Sequence, residues 1–297
     1  METEDVSPRF AELDRWPAGE VVRAVVEGQL HAVAAVAAVA ADLARAAEAA
    51  TAVLRAGAGR LVYVGAGTSG RLAVLDGVEL PPTYGWPEAR LRYFLAGGET
   101  AMFRSVEGAE DEAAAIGSLL EAERIGPHDV LIAVAASGRT PYAVAAAKAA
   151  RARGALVVGL ANNRPAPLLE AADHGLALLT GAEVVAGSTR MAAGTAQKAT
   201  LNALSTAIMV GLGRTFGNLM VDVAARNAKL EGRRIAMLRR IVPVDEPAAR
   251  RALEEAAGHV RTAVLVALGD PPATAAARLA RHGGSLRAAI DALKGRE

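Results

Sequence analysis

Five short apolar runs, separated by segments with helical patterning, constrain the fold of this 297-residue chain more than any other feature. The runs cover residues 61–64, 91–96, 130–135, 155–160 and, more weakly, 174–179. Most are apolar throughout instead of alternating in polarity, which is typical of strands buried on both faces. The alternation of such strands with helices predicts an α/β fold built on a parallel sheet that helices cover on both sides.

Helices are predicted from apolar periodicity, with glycines and prolines at their ends. The predicted ranges are 18–55 (one or two helices), 71–78, 141–153, 189–212 and 218–240, followed by three short helices within 248–294. Pro243 and Pro247 mark a boundary before the last group. We therefore expect an N-terminal helical segment (1–56) packed on the core, a sheet domain (57–242) and a small C-terminal helical subdomain (243–297).

Composition excludes several classes of function. The chain has no cysteine, which excludes disulfides and thiolate catalysis and fits a reducing compartment. Aromatic residues make up 3% and the net charge is +1, so nothing indicates nucleic-acid binding. The acidic N-terminus lacks the basic start of a signal peptide, and no apolar run approaches the roughly 20 residues of a membrane span. These features predict a soluble cytoplasmic protein that binds neither nucleic acid nor membranes.

Two glycine- and hydroxyl-rich turns follow apolar runs, at residues 65–71 and 136–140. Ligands of parallel sheets bind beyond the carboxyl ends of strands, and helix N-termini there attract anions. The candidate anion-binding residues are Thr68, Ser69, Gly70, Ser137, Gly138, Arg139 and Thr140. Three alternatives stay open: a dinucleotide site, since the first turn matches G-x-G-x-x-G; a tight turn without ligand; and capping of the next helix by Thr140.

Two glutamates are candidates for acid–base chemistry beside this anion site. Glu79 follows the helix after the first turn, and Glu110 lies in the acidic stretch 106–111. Carboxylates next to a bound anion can move protons on it, although a solvated surface position explains most single glutamates. The polar segment 181–198 adds further candidate anion contacts: Ser188, Thr189, Arg190 and Lys198. The five histidines have no metal-ligand spacing, so no metal site is expected.

Taken in order, several motifs resemble the N-acetylmuramic acid 6-phosphate etherase family. They are residues 65–71, 79–85, 96–98, 106–111, 135–142, 187–190, 194–198 and 217–223. The resemblance implies a sugar isomerase (SIS) domain with a flavodoxin-like parallel sheet, a phosphosugar ligand and no metal or organic cofactor. It also implies a homodimer with the site near the subunit interface.

The reaction implied by the resemblance is cleavage of the D-lactyl ether of N-acetylmuramic acid 6-phosphate. The family's two active-site glutamates match Glu79, as proton donor to the departing lactate, and Glu110, which we expect to handle the C2 proton. Ser69, Ser137 and Thr140 would hold the phosphate. The family usually has a lysine where this chain has Ala192. The alternatives are a non-catalytic phosphosugar sensor and an aldose–ketose phosphate isomerase.

Overall fold

A computed structural model describes residues 1–222 and 228–295. Its centre is a five-stranded, all-parallel sheet in the order β2-β1-β3-β4-β5. The strands are β1 (Leu61–Gly65), β2 (Leu91–Leu95), β3 (Val130–Val134), β4 (Leu156–Ala161) and β5 (His174–Ala177). Each of the five predicted strands is present, and the order is that of flavodoxin-like folds. The prediction of a flavodoxin-like α/β sheet is confirmed.

Helices precede, connect and follow these strands. They are α1 (Ala18–Ala38), α2 (Ala40–Arg55), α3 (Gly67–Val78), α4 (Leu80–Tyr84), α5 (Ala113–Ala122), α6 (Pro141–Ala152), α7 (Pro167–Ala171) and α8 (Ala192–Gly211). Helix α5 was not predicted, although Ile116 and Leu120 lie one turn apart and are both fully buried in the core. Three residues separate these two anchors, and the anchors are the buried residues of α5, so its apolar pattern covers a single turn.

The chain forms two compact units. The first comprises Met1–Gly77 and Ala89–Ala207, and the second comprises Val78–Glu88 and Ile208–Glu297. The core of the first unit joins the sheet to α5 and α6, with alanines on α6 allowing close approach to the strands. The division of the chain at residues 56 and 242 stays a prediction.

In the parts of the second unit that the structure describes, a two-stranded antiparallel hairpin and five further helices follow α8. These are β6 (Thr215–Phe216), β7 (Leu219–Met220), α9 (Ala228–Ile241), α10 (Glu246–Glu255), α11 (Val260–Ala267), α12 (Pro272–Arg281) and α13 (Leu286–Leu293). The predicted helix over 218–240 is wrong at its start, where the hairpin lies; its residues 223–227, including the end of the 217–223 motif, lie outside the described residues. Residues 248–294 fall in four helices instead of three, because Ala257 and Gly258 take positive φ and separate α10 from α11.

Close contact between β1 and α3 explains the glycines of the first turn. A Cβ on Gly70 would lie 2.4 Å from Leu95 Cδ1 and 2.7 Å from the carbonyl carbon of Gly65. Since real Cβ atoms do not approach other atoms so closely, only glycine lets α3 begin directly against the end of the strand. The N-terminus of α3 is thereby held at the edge of the sheet.

Helix α1 differs from the expectation that no apolar segment approaches the length of a membrane span. It has 21 residues and a window of mean hydropathy 1.4, and in the described part of the chain it alone is long and apolar enough to cross a membrane. This is weak evidence for a membrane span, because core helices and signal sequences meet the same criterion. Only 11% of that window is buried within the chain, so most of the helix is open to a partner.

Candidate functional site

A cavity of about 440 Å³ opens beyond the carboxyl ends of β1 and β3. Among the described residues it is lined by Met1, Glu4, Ala66, Gly67, Thr68, Ser69, Glu110, Asp111, Ala135, Ala136, Ser137, Arg139, Thr140, Pro141 and Thr189. All belong to the first unit. Strands β1 and β3 are neighbours in the sheet; the strand that follows β1 lies on one side of this pair, and the strand that follows β3 lies on the other side. Such a topological switch point is where flavodoxin-like folds bind ligands. The cavity has the size of a small-molecule site.

Four hydroxyl-bearing residues from the two turns line this cavity: Thr68, Ser69, Ser137 and Thr140. Within the described chain, the hydroxyls of Thr68, Ser69 and Thr140 make no hydrogen bond, although Ser69 is largely buried. Thr140 occupies the N-cap position of α6, but its side chain does not cap the helix. Ser137 Oγ accepts a hydrogen bond from the backbone N–H of Arg139 at 3.1 Å, which stabilises the second turn. Four hydroxyls are therefore available to a ligand.

The positive ends of two helices meet at the same cavity. Helix α3 begins at Gly67 and α6 begins at Pro141, both in the cavity wall. First-turn N–H groups have no partner within a helix, and they carry the positive end of the helix dipole. Arg139 adds a full positive charge and is held by a 3.4 Å hydrogen bond to the carbonyl of Pro165. Together with the hydroxyls, these are groups of the kind that bind anions such as a phosphate monoester.

A carboxylate lies in the wall of this anion site. Glu110 belongs to a single 3₁₀ turn, Ala109–Asp111, which begins after Gly108 at a φ of 73°. Ala109 is buried in the core that contains Tyr142 of α6, so the turn is anchored although Glu110 itself is exposed. A carboxylate in the wall of a small-molecule cavity can exchange protons with a ligand bound there.

The structure does not bring every predicted site residue to this cavity. Glu79 is exposed directly after α3 and belongs to the second unit, in the segment Val78–Glu88. Gly70 and Gly138 provide close packing beside the cavity, and a Cβ on Gly138 would lie 2.4 Å from the Cβ of Ala166. Thr189 lines the cavity, whereas its neighbours Ser188 and Arg190 and the more distant Lys198 are not among the lining residues. Their roles stay predictions.

A buried aspartate near α8 was not anticipated from the sequence. Asp76 on α3 accepts hydrogen bonds from Tyr63 (2.9 Å), Asn202 (2.7 Å) and Ser205 (3.1 Å). Burial raises the pKa of Asp76, although these hydrogen bonds and the charge of Lys198 oppose the rise. The network fastens the end of α3 to β1 and α8.

Ala192 stands where the resembled family usually has a lysine, but this difference removes no charge from the described lining of the cavity. Ala192 is buried with Ala32, Leu178 and Ala196, and it is not a lining residue. Its backbone N–H donates a 2.9 Å hydrogen bond to Glu183, which also accepts from Ala193 and so caps the start of α8. The absence of a lysine at position 192 therefore leaves the anion-binding groups in place.

Two family models and several known proteins match this chain. Residues 42–151 match the model of the glucokinase regulatory protein N-terminal SIS domain, and residues 103–207 match the SIS domain model. An N-acetylmuramic acid 6-phosphate etherase of Deinococcus radiodurans is 53% identical and covers 96% of this chain and 93% of the relative. Those of Streptomyces coelicolor and Rubrobacter xylanophilus are 47% and 49% identical, covering 99% and 97% of this chain and 95% of each relative.

Proposed function

The chain belongs to the N-acetylmuramic acid 6-phosphate etherase family, and we propose that the cavity at β1 and β3 is its active site. The protein is a carbon–oxygen lyase. It cleaves the D-lactyl ether of N-acetylmuramic acid 6-phosphate, giving N-acetylglucosamine 6-phosphate and D-lactate. Identity of 53% over nearly the whole chain carries this conclusion, and the anion site supports it.

The chemistry accounts for the need for two carboxylates. An ether resists direct hydrolysis, but in the open-chain sugar the C2 hydrogen is acidified by the neighbouring aldehyde. A base removes that proton, and lactate then leaves from C3 as an acid protonates its oxygen. Water adds to the unsaturated aldehyde at C3, so the overall reaction consumes one water. We assign the C2 proton to Glu110 in the cavity wall. We assign the protonation of lactate to Glu79 on the family resemblance alone, since Glu79 is not among the lining residues.

The phosphate occupies the end of the cavity where the two helices begin. Thr68, Ser69, Ser137 and Thr140 would donate their hydroxyls to its oxygens, and first-turn N–H groups of α3 and α6 would neutralise its charge. Held there, the phosphate fixes the rest of the sugar relative to Glu110. This positioning also raises the reaction rate, because the entropy of bringing the C2 hydrogen and its base together has already been lost on binding.

Release of D-lactate from N-acetylmuramic acid 6-phosphate tests the proposed function directly. We expect stoichiometric D-lactate, measured with D-lactate dehydrogenase, and N-acetylglucosamine 6-phosphate. Tight binding of the substrate without release of lactate would instead support a phosphosugar sensor. Interconversion of aldose and ketose 6-phosphates without lactate would support an isomerase.

A homodimer is the proposed assembly, with α1 at its interface. Val22, Val26, Leu30 and Val33 lie on one face of α1 and are between 53% and 67% exposed. An exposed apolar stripe of this length indicates an interaction surface. A second copy of the chain fits it, because a stripe along one helix face is complementary to itself about a twofold axis. With α1 covered in this way, the helix is not available to a membrane, and we propose a cytoplasmic location for the enzyme.

Placing a charge on the stripe should dissociate the dimer. We expect the parent protein to elute at twice the 30.4 kDa chain mass in size exclusion with light scattering, and Leu30→Glu to elute as a monomer. Leu119→Glu on α5, where the side chain is 44% exposed, is the matched control and should stay dimeric. A monomeric parent that sediments with lipid vesicles would assign α1 to a membrane, and a dimeric Leu30→Glu would move the interface elsewhere.

A further inference from the structure

The N-terminal segment is tied into the wall of the cavity by a fully buried residue, Thr3. Its backbone N–H donates to Asn163 Oδ1 at 3.3 Å, and its hydroxyl accepts from Asn163 Nδ2 at 2.9 Å. Its carbonyl accepts from the N–H of Gly187 at 3.0 Å. Asn163 also donates to the carbonyl of Ala136, a cavity residue that precedes Ser137. The segment is therefore fastened to the turn that carries the anion site.

This anchor places the next residue, Glu4, in the cavity wall. A Cβ built on Gly187 would lie 2.7 Å from Glu4 Oε2, so the absence of a side chain at Gly187 leaves room for the carboxylate. Glu4 is exposed to solvent, and within residues 1–222 and 228–295 its carboxylate has no ion pair or hydrogen-bond donor. An ionised group without an internal partner, held at a ligand cavity, is available to the ligand.

We propose that Glu4 is a specificity-determining residue that accepts a hydrogen bond from a hydroxyl or amide N–H of the bound amino sugar. The inference rests on the proposed phosphosugar function. Helix N-termini, hydroxyls and Arg139 supply the contacts for the anionic phosphate, which an ionised carboxylate would repel. The neutral part of the sugar offers only O–H and N–H donors to Glu4. The carboxylate thus favours ligands that present a donor to Glu4 over ligands that present an anionic group there, and the lactyl carboxylate of the substrate is expected to lie elsewhere in the cavity.

Binding of N-acetylglucosamine 6-phosphate and of inorganic phosphate separates this role from a structural one. Glu4→Gln preserves the shape of the side chain but removes its charge, and hydrogen bonds to charged groups are the stronger ones. By calorimetric titration, we expect Glu4→Gln to raise Kd for the sugar phosphate about 10- to 100-fold. Its Kd for inorganic phosphate should be unchanged or lower, since a repelling charge has been removed.

Glu2→Gln is the matched control, because Glu2 lies in the same 3₁₀ turn, is exposed and does not line the cavity. We expect this variant to bind both ligands like the parent. Equal Kd values for the sugar phosphate in Glu4→Gln and Glu2→Gln would overturn the inference. So would a matching loss of affinity for inorganic phosphate in Glu4→Gln, which would indicate a disturbed cavity. The lactate assay on the parent is a separate readout, so failure of the etherase activity is distinguishable from failure of this role.

Discussion

Replacing Glu110 with glutamine should lower kcat/KM for lactate release by about 100- to 10,000-fold, the usual contribution of one acid–base group. Glutamine keeps the size and most of the polarity of the side chain but cannot accept the C2 proton. Because Glu110 is exposed on a 3₁₀ turn that Ala109 anchors in the core, the substitution should leave the fold intact. Binding of the product sugar phosphate should change far less than turnover.

Glu107→Gln is the matched control for this experiment. Glu107 lies three residues earlier in the same acidic stretch, is exposed and does not line the cavity. We expect this variant to release lactate at the parental rate. If Glu110→Gln and Glu107→Gln behaved alike, Glu110 would not be the base, and the assignment of the cavity as the reaction site would lose its main support.

Replacing Glu79 with glutamine should also lower kcat/KM for lactate release by about 100- to 10,000-fold, but the step that it slows is a different one. Without an acid to protonate its oxygen, lactate is a poor leaving group, whereas removal of the C2 proton by Glu110 is unaffected. In deuterium oxide, the Glu79→Gln enzyme should therefore continue to exchange the C2 hydrogen of N-acetylmuramic acid 6-phosphate for deuterium. Glu110→Gln should lose both exchange and lactate release.

Proton NMR of the recovered substrate measures the exchange, and circular dichroism checks that each variant is folded. The opposite pattern, with exchange retained only in Glu110→Gln, would reverse the two roles. Parental lactate release by Glu79→Gln would remove this residue from the mechanism altogether. The exchange measurement separates the two roles better than lactate release does, because a misfolded variant would lose both exchange and release.

Much of the sheet domain could be predicted because its signals are local. A strand that is buried on both faces is apolar at every position, as residues 61–64 and 130–134 show. The glycine turns could also be predicted from the sequence, since only glycine permits the approach of α3 to β1 at position 70. The C-terminal helices were less predictable, because the turn between α10 and α11 is marked by a single glycine, Gly258, and its other residue with positive φ is an alanine, Ala257.

The sequence by itself determined the parallel sheet and its two glycine- and hydroxyl-rich turns, because burial periodicity and turn chemistry act over a few residues. The tertiary structure decided that Glu110 lies in the wall of the same cavity as these turns. Only the tertiary structure decided that Glu4 joins the cavity, since its anchor pairs Thr3 with Asn163 across 160 residues. The tertiary structure also joined Asp76 to Asn202 and Ser205 of α8 and assigned Glu79 to the second unit. Such placements depend on packing between distant segments, and no local pattern of side chains encodes them.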